Sequence, residues 1–257
     1  MRLAEISFPA ETPATEPPLI VAHGLFGAAR NWRAHAKRMG AGRDVIVVDM
    51  RNHANSGWDD LNDYPAMADD LAETILAHGG KASVVGHSMG GKAAMALAQT
   101  HAQMIDKLIV ADIAPVAYDH SLTPQIEAMQ NVDLSQLTRK SEVDAALASE
   151  IDEPAVRAFL AQSADLAEGA KRWALNLSAL NANMDLITDY PGLTGIFTGP
   201  TLFLYGGASD YVPESSHPLI RKLFPATEFQ VLEGAGHWLH AEKPREFLTA
   251  VTTFLSK

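Results

Sequence analysis

The chain has 257 residues, 47% of them apolar, with 31 acidic against 20 basic side chains and no cysteine. That length suits one domain with a large core, or a core domain carrying an insertion, and the composition is far from that of a disordered chain. The formal charge of −11 argues against a nucleic-acid partner, which needs a basic face, and the lack of cysteine excludes disulfides, thiol nucleophiles and thiolate metal sites.

The opening residues Met1-Arg2-Leu3-Ala4-Glu5-Ile6 put a carboxylate where a secretory signal needs an apolar run, and no uncharged stretch reaches the length of a membrane span. A cytoplasmic chain without a membrane span is the expectation. Residues 2–8 then read as an amphipathic antiparallel edge strand, followed by a proline-rich turn over 9–18. Six short, nearly all-apolar runs follow, at 19–22, 45–48, 82–85, 108–111, 201–205 and 229–232. Such runs are the signature of parallel strands buried on both faces. Helix-like segments fit between them at about 29–39, 65–78, 90–102, 214–223 and 243–255, the last with Pro244 in its first turn. The expected class is α/β, a mostly parallel sheet with helices on both faces.

One interval does not fit the alternation. Roughly ninety residues separate the run at 108–111 from the run at 201–205, too many for a structureless loop. Helical composition at 143–151, 154–164 and 172–187 makes residues 116–196 a helical insertion, a cap over a core formed by 1–115 and 197–257. Its Met and Leu positions serve mainly its own packing, and as a group they are suited to roofing an apolar pocket.

The sharpest chemical signal is Gly86-His87-Ser88-Met89-Gly90, placed between an apolar strand run and a helix-forming stretch. A G-x-S-x-G sequence in that setting makes a sharp strand-to-helix turn, in which small flanking residues let the serine adopt a strained backbone with its hydroxyl exposed. A serine is a poor nucleophile until a base takes its proton. Among ten histidines, His237 in Gly234-Ala235-Gly236-His237-Trp238 follows the last strand run and lies where a loop can return to the strand ends. His240 competes with it and reads as a loop or surface residue. The orienting acid has two candidates, Asp112 at the end of the fourth buried run and Asp210 shortly after the fifth, and both keep the order Ser, Asp, His. For the oxyanion, two backbone N–H donors are required: Met89, which follows the serine, and Leu25 in the loop His23-Gly24-Leu25-Phe26-Gly27.

Taken together, His23–Gly27, Asp49-Met50-Arg51-Asn52-His53, Gly86–Lys92, Asp112-Ile113-Ala114-Pro115-Val116 and Gly234–Trp238 resemble the α/β-hydrolase superfamily, and within it the small bacterial esterases of the YbfF type. The resemblance runs from about residue 19 to the end and is thinnest in the insertion. It implies hydrolysis of carboxylic esters, with acyl thioesters included, on a small-molecule acyl substrate and without metal or organic cofactor. For the acid, the superfamily's usual position matches Asp210, whereas the YbfF-type position matches Asp112, and the reading leans to Asp112. Ala54 departs from the family, which has glycine after the R-N-H segment.

Ser88 excludes the superfamily's aspartate-nucleophile dehalogenases and epoxide hydrolases. No H-E-x-x-H, G-x-G-x-x-G or complete G-x-x-x-x-G-K-[ST] motif is present, and the His237–His240 pair lacks a matching carboxylate motif. Two further readings stay open at this level: the same triad turned to C–C hydrolysis or perhydrolysis, and a receptor that keeps a hydrolase site as a ligand pocket.

Overall fold

The computed structural model describes residues 1–12 and 14–257; Pro13, inside the expected proline-rich turn, lies outside the described residues. A seven-stranded sheet runs through the molecule, built from β1 (Glu5–Phe8), β2 (Leu19–Ala22), β3 (Val45–Val48), β4 (Ala82–His87), β5 (Ile105–Ala111), β8 (Thr201–Gly206) and β9 (Thr227–Leu232). Its order is β1-β3-β2-β4-β5-β8-β9, and β1 alone runs antiparallel, against β3. Five of the six apolar runs behave as buried strands should. The sixth, at 229–232, lies in the edge strand β9, where Gln230 and Val231 are exposed because no further strand or helix among the described residues covers them. Ile20, Ile46, Val84, Val110 and Phe203 face one layer of the core, and their neighbours Leu19, Val45, Val85, Ile109 and Leu204 face the other.

Helices α2 (Tyr64–Ala77) and α3 (Met89–Thr100) cover the first face. Helices α1 (Arg33–Met39) and α11 (Pro244–Leu255) cover the second. Phe247, Val251 and Phe254 line the buried side of α11, at the spacing of an amphipathic helix. The expected helix over 29–39 starts instead with a tight 3₁₀ turn, Ala29–Trp32.

Between β5 and β8 the chain forms α4 (Thr123–Asn131), α5 (Lys140–Leu147), α6 (Pro154–Ala161), the two-stranded ribbon β6 (Ala164–Asp165) and β7 (Arg172–Trp173), α7 (Leu177–Ala182) and α8 (Met184–Thr188). Two differences from the sequence reading stand out. The expected helix over 172–187 is a strand followed by two short helices: Asn176 caps α7 with its side chain on the Ala179 N–H, and Asn183 separates α7 from α8. Helix α4 escaped notice because its buried stripe is only Ile126, Ala128 and Met129 in a polar background. In chain order the remaining helices are α9 (His217–Leu223) and α10 (Leu239–Glu242).

The parallel registers bring strand ends level: Ala22 beside Gly86, His87 beside Ala111, Ala111 beside Leu204 and Gly206 beside Leu232. Every loop that leaves these carboxyl ends therefore opens onto one rim, where sites of open parallel sheets form. Among the described residues, no helix is long and apolar enough to cross a membrane.

Candidate active site

Ser88 sits at the junction of β4 and α3 with φ 53° and ψ −120°, a conformation L-residues avoid. Two glycines permit the turn. A Cβ on Gly86 would lie 2.2 Å from the Gly90 carbonyl oxygen, and one on Gly90 would lie 2.4 Å from that of Ala22. The Ser88 N–H bonds to Ala111 O (3.0 Å), which pins the turn to the next strand.

From across the rim, His237 brings its Nε2 to 3.0 Å from Ser88 Oγ, while its Nδ1 donates to Asp112 Oδ2 at 2.7 Å. Asp112 is fully buried and takes the positive φ of 53° at the end of β5. Its carboxylate accepts two further bonds, from Gly206 N–H (2.9 Å) and Ser209 Oγ (2.5 Å). Such a carboxyl group is held in one orientation, so it can hold one imidazole tautomer and support the charge that develops on the ring. Asp210, the other candidate, is exposed and makes no hydrogen bond or ion pair among the described residues. It caps no part of this constellation.

The N–H of Met89 opens α3 and has no intrahelical acceptor, and that of Leu25 is bonded to no other group among the described residues. Both belong to the wall around Ser88, where two free donors beside a hydroxyl suit an oxyanion.

Sequence reasoning missed several supports. His87, next to Ser88, is buried and donates its Nε2–H to the carbonyl of His237 (2.9 Å), so the residue before the serine fastens the loop that carries the base. Burial and the neighbouring His237 push His87 down to about 3, which keeps it neutral. Tyr211 stacks on the His237 ring with centroids 3.9 Å apart. Ser209 was legible only as part of the turn before Asp210. Lys92 is 1% exposed, and its ammonium donates to the carbonyls of Thr188 (2.8 Å) and Asp189 (2.6 Å) while lying over the Tyr118 ring. It ties α3 to the segment that follows α8. Burial lowers it to about 7.

His240 requires a correction. Instead of a surface loop residue it is a half-buried member of α10, stacked on Trp32 with centroids 4.5 Å apart, its Nδ1 buried without a partner. The sheet-covering face of Trp32 claims it, and burial holds it well below the usual histidine range.

A cavity of about 260 Å³ opens beside Ser88 and His237. Phe26, Trp32, Val156, Phe159, Leu160 and Trp238 give it an apolar lining, and Gln125 and Asn31 are its polar exceptions among side chains away from the histidines. Leu122, Val156, Phe159 and Leu160 come from the segment between β5 and β8; Met129 and Met184 are buried in its packing instead. Among the described residues, no group of three or more His, Cys, Asp or Glu is placed to hold a metal ion.

Comparison with known proteins places this geometry in context. The family model for the alpha/beta hydrolase fold matches residues 17–244. The chain is 39% identical to the mouse sn-1-specific diacylglycerol lipase ABHD11 over 95% of its length and 82% of that protein's. It is 37% identical to esterase YbfF of Escherichia coli K12, over 96% of both chains. A solved structure of a marine microorganism esterase superposes with a TM-score of 0.91 at 34% identity, covering 98% of this chain and 99% of that one.

Proposed function

Since the chain belongs to the α/β-hydrolase family and is an esterase/lipase-type hydrolase within it, we propose that it cleaves carboxylic esters through an acyl-enzyme on Ser88. The observation that carries this reading is the unbroken hydrogen-bonded line from Asp112 through His237 to Ser88, with spans of 2.7 and 3.0 Å. Ser88 Oγ attacks the acyl carbon as His237 Nε2 takes its proton, and Asp112 supports the imidazolium. The N–H groups of Leu25 and Met89 receive the negative charge of the tetrahedral species. His237 then returns the proton to the leaving alkoxide, which departs as the alcohol. Water repeats the sequence on the acyl-enzyme, losing a proton to His237, and the carboxylic acid leaves as Ser88 recovers its hydrogen.

In this reading residues 1–115 and 197–257 form the catalytic core and 116–196 a cap whose α4 and α6 roof the cavity. Acyl thioesters fit the same chemistry, and a cytoplasmic location fits the cysteine-free composition. The apolar lining favours substrates with a hydrocarbon chain, in keeping with the lipase name of the mouse relative.

The test is steady-state hydrolysis of p-nitrophenyl esters from acetate to long chains, with a diacylglycerol arm, for wild type, Ser88→Ala, Asp112→Asn and Asp210→Asn. Turnover abolished in Ser88→Ala with a defined chain-length optimum supports the reading. A folded Ser88→Ala that keeps wild-type turnover overturns it.

A further inference from the structure

The motif Asp49–His53 has so far taken no part in the chemistry, yet it is buried throughout. It lies between the Leu25 loop and the segment that follows β7. His53 Nδ1–H donates to Arg51 O (2.7 Å), so the lone pair of its Nε2 is free, and that lone pair accepts the N–H of Phe26 at 3.2 Å. His23 works the same way one peptide earlier. Its Nδ1–H donates to Gly24 O (2.8 Å), and its Nε2 accepts the N–H of Met50 (3.0 Å).

The Gly24 carbonyl and the Leu25 N–H belong to one planar trans peptide and point in opposite directions, so holding the oxygen aims the donor. The Leu25–Phe26 peptide is the next plane, and His53 holds it by its N–H. The two rings touch, with centroids 5.1 Å apart. Phe26 has φ 64°, a conformation an aromatic residue does not hold by itself, and the loop needs such a brace.

His53 is itself gripped from outside. Ala54 N–H donates to Ala174 O (2.7 Å), Asn176 N–H to Asn52 O (2.9 Å) and Asn176 Nδ2 to Asn52 Oδ1 (3.0 Å), so residues 174–176 clasp His53 on both sides. Asn52 and Ala54 both have positive φ, 64° and 47°, which is how the backbone turns to present His53 to the Leu25 loop.

We propose that His23 and His53 are paired positioning residues that aim the Leu25 N–H at the oxyanion, and that His53 makes this aim depend on how residues 174–176 seat against the core. The inference rests on the acyl-transfer reading above. Burial lowers the two rings to about 4 and about 3, so the neutral tautomers this geometry requires persist through the neutral range.

The experiment compares His53→Leu, His53→Gln, Asn176→Asp and the double variant Asn176→Asp/His53→Leu, by p-nitrophenyl ester kinetics and by the affinity of a trifluoromethyl ketone that forms a tetrahedral adduct. Asn176→Asp keeps the oxygen that caps α7 and removes the Nδ2 donor to Asn52. His53→Leu is expected to lower kcat about 10- to 100-fold with KM within about twofold, and to weaken the ketone by the same factor as kcat. His53→Gln, whose amide oxygen reaches the Phe26 N–H, recovers most of the loss. Asn176→Asp lowers kcat several-fold in the native background and has no further effect beside His53→Leu, because the path it acts through is already cut.

Wild-type kcat and ketone affinity in folded His53→Leu would overturn the proposal, as would a His53→Gln as impaired as His53→Leu. Additive effects in the double variant would overturn the dependence on residues 174–176. If His53→Leu does not fold, His53→Gln and Asn176→Asp carry the test through kcat and ketone affinity. Turnover surviving in Ser88→Ala sinks the acyl-transfer reading itself, whereas an inactive Ser88→Ala beside an unaffected His53→Leu sinks this inference alone.

Discussion

The sheet with its rim loops and the helical segment between β5 and β8 are held together in different ways. The sheet stands on continuous backbone ladders and on apolar side chains packed on both faces, so its strand ends are fixed relative to one another. The helical segment has short elements whose apolar side chains continue the core of the first face, and polar contacts made one at a time add to that packing: Lys92 to Thr188 and Asp189, Tyr64 to Ile187, Asn183 to Asp60 and the clasp around His53. The residues proposed for bond making all sit on the first region, and part of the cavity lining comes from the second. The lesson is a division of labour. Chemistry needs sub-ångström constancy, which a parallel sheet supplies, while chain-length preference needs only a surface of the right shape.

The largest expected effect breaks the core side of this comparison. Ser88→Ala should lower kcat by about 10⁵- to 10⁶-fold on every ester, independent of chain length. Asp112→Asn should cost about 10⁴-fold by favouring the wrong imidazole tautomer, while Asp210→Asn stays within about twofold. Equal losses in the two would remove the distinction between a buried, triply bonded carboxylate and an exposed one.

Acid should dismantle the core. His23, His53 and His87 are buried and neutral in the fold, lowered to about 4, 3 and 3, and would titrate near 6.5 once unfolded. Between those values the unfolded chain binds more protons, so stability is full above about 6.5 and falls as the pH drops toward 4, by about 1.4 kcal/mol per pH unit for each ring. Urea midpoints measured from pH 7.5 to 4.5 check the slope, and His87→Gln should make it shallower.

On the other side of the comparison, Phe159→Ala removes a ring that lines the cavity and packs against Trp238 at 5.6 Å. It should move the chain-length optimum toward longer or bulkier esters by a few-fold in kcat/KM, with activity on acetate nearly unchanged. Uniform loss across the series would assign Phe159 to folding instead of selection. The smallest effect is at Ala54, where φ is 47°. Replacing it with glycine relieves left-handed strain of about 1–2 kcal/mol against a backbone-entropy cost of about 0.5–1 kcal/mol, so a thermal midpoint higher by one or two degrees is expected.

The apolar runs by themselves determined the strands, most of them because a strand buried on both faces has few polar positions to confuse the reading, although the run in β9 turned out to be a largely exposed edge. Gly86-His87-Ser88-Met89-Gly90 likewise determined the turn at Ser88, since steric demands there fall on residues adjacent in the chain. Local signals did not reveal α4 or the break at Asn183, where caps and sparse apolar stripes decide the structure. Asp112 and Asp210 were equally plausible on spacing, and only the folded arrangement, which brings Gly206, Ser209 and His237 to one of them, separates the two. The same holds for His87, His53 and Lys92: each sits inside a legible motif, but its partner lies between 27 and 150 positions away. Chain-local chemistry is written in sequence. Which buried polar atom meets which is decided by strand register and loop crossing, and those exist only in three dimensions.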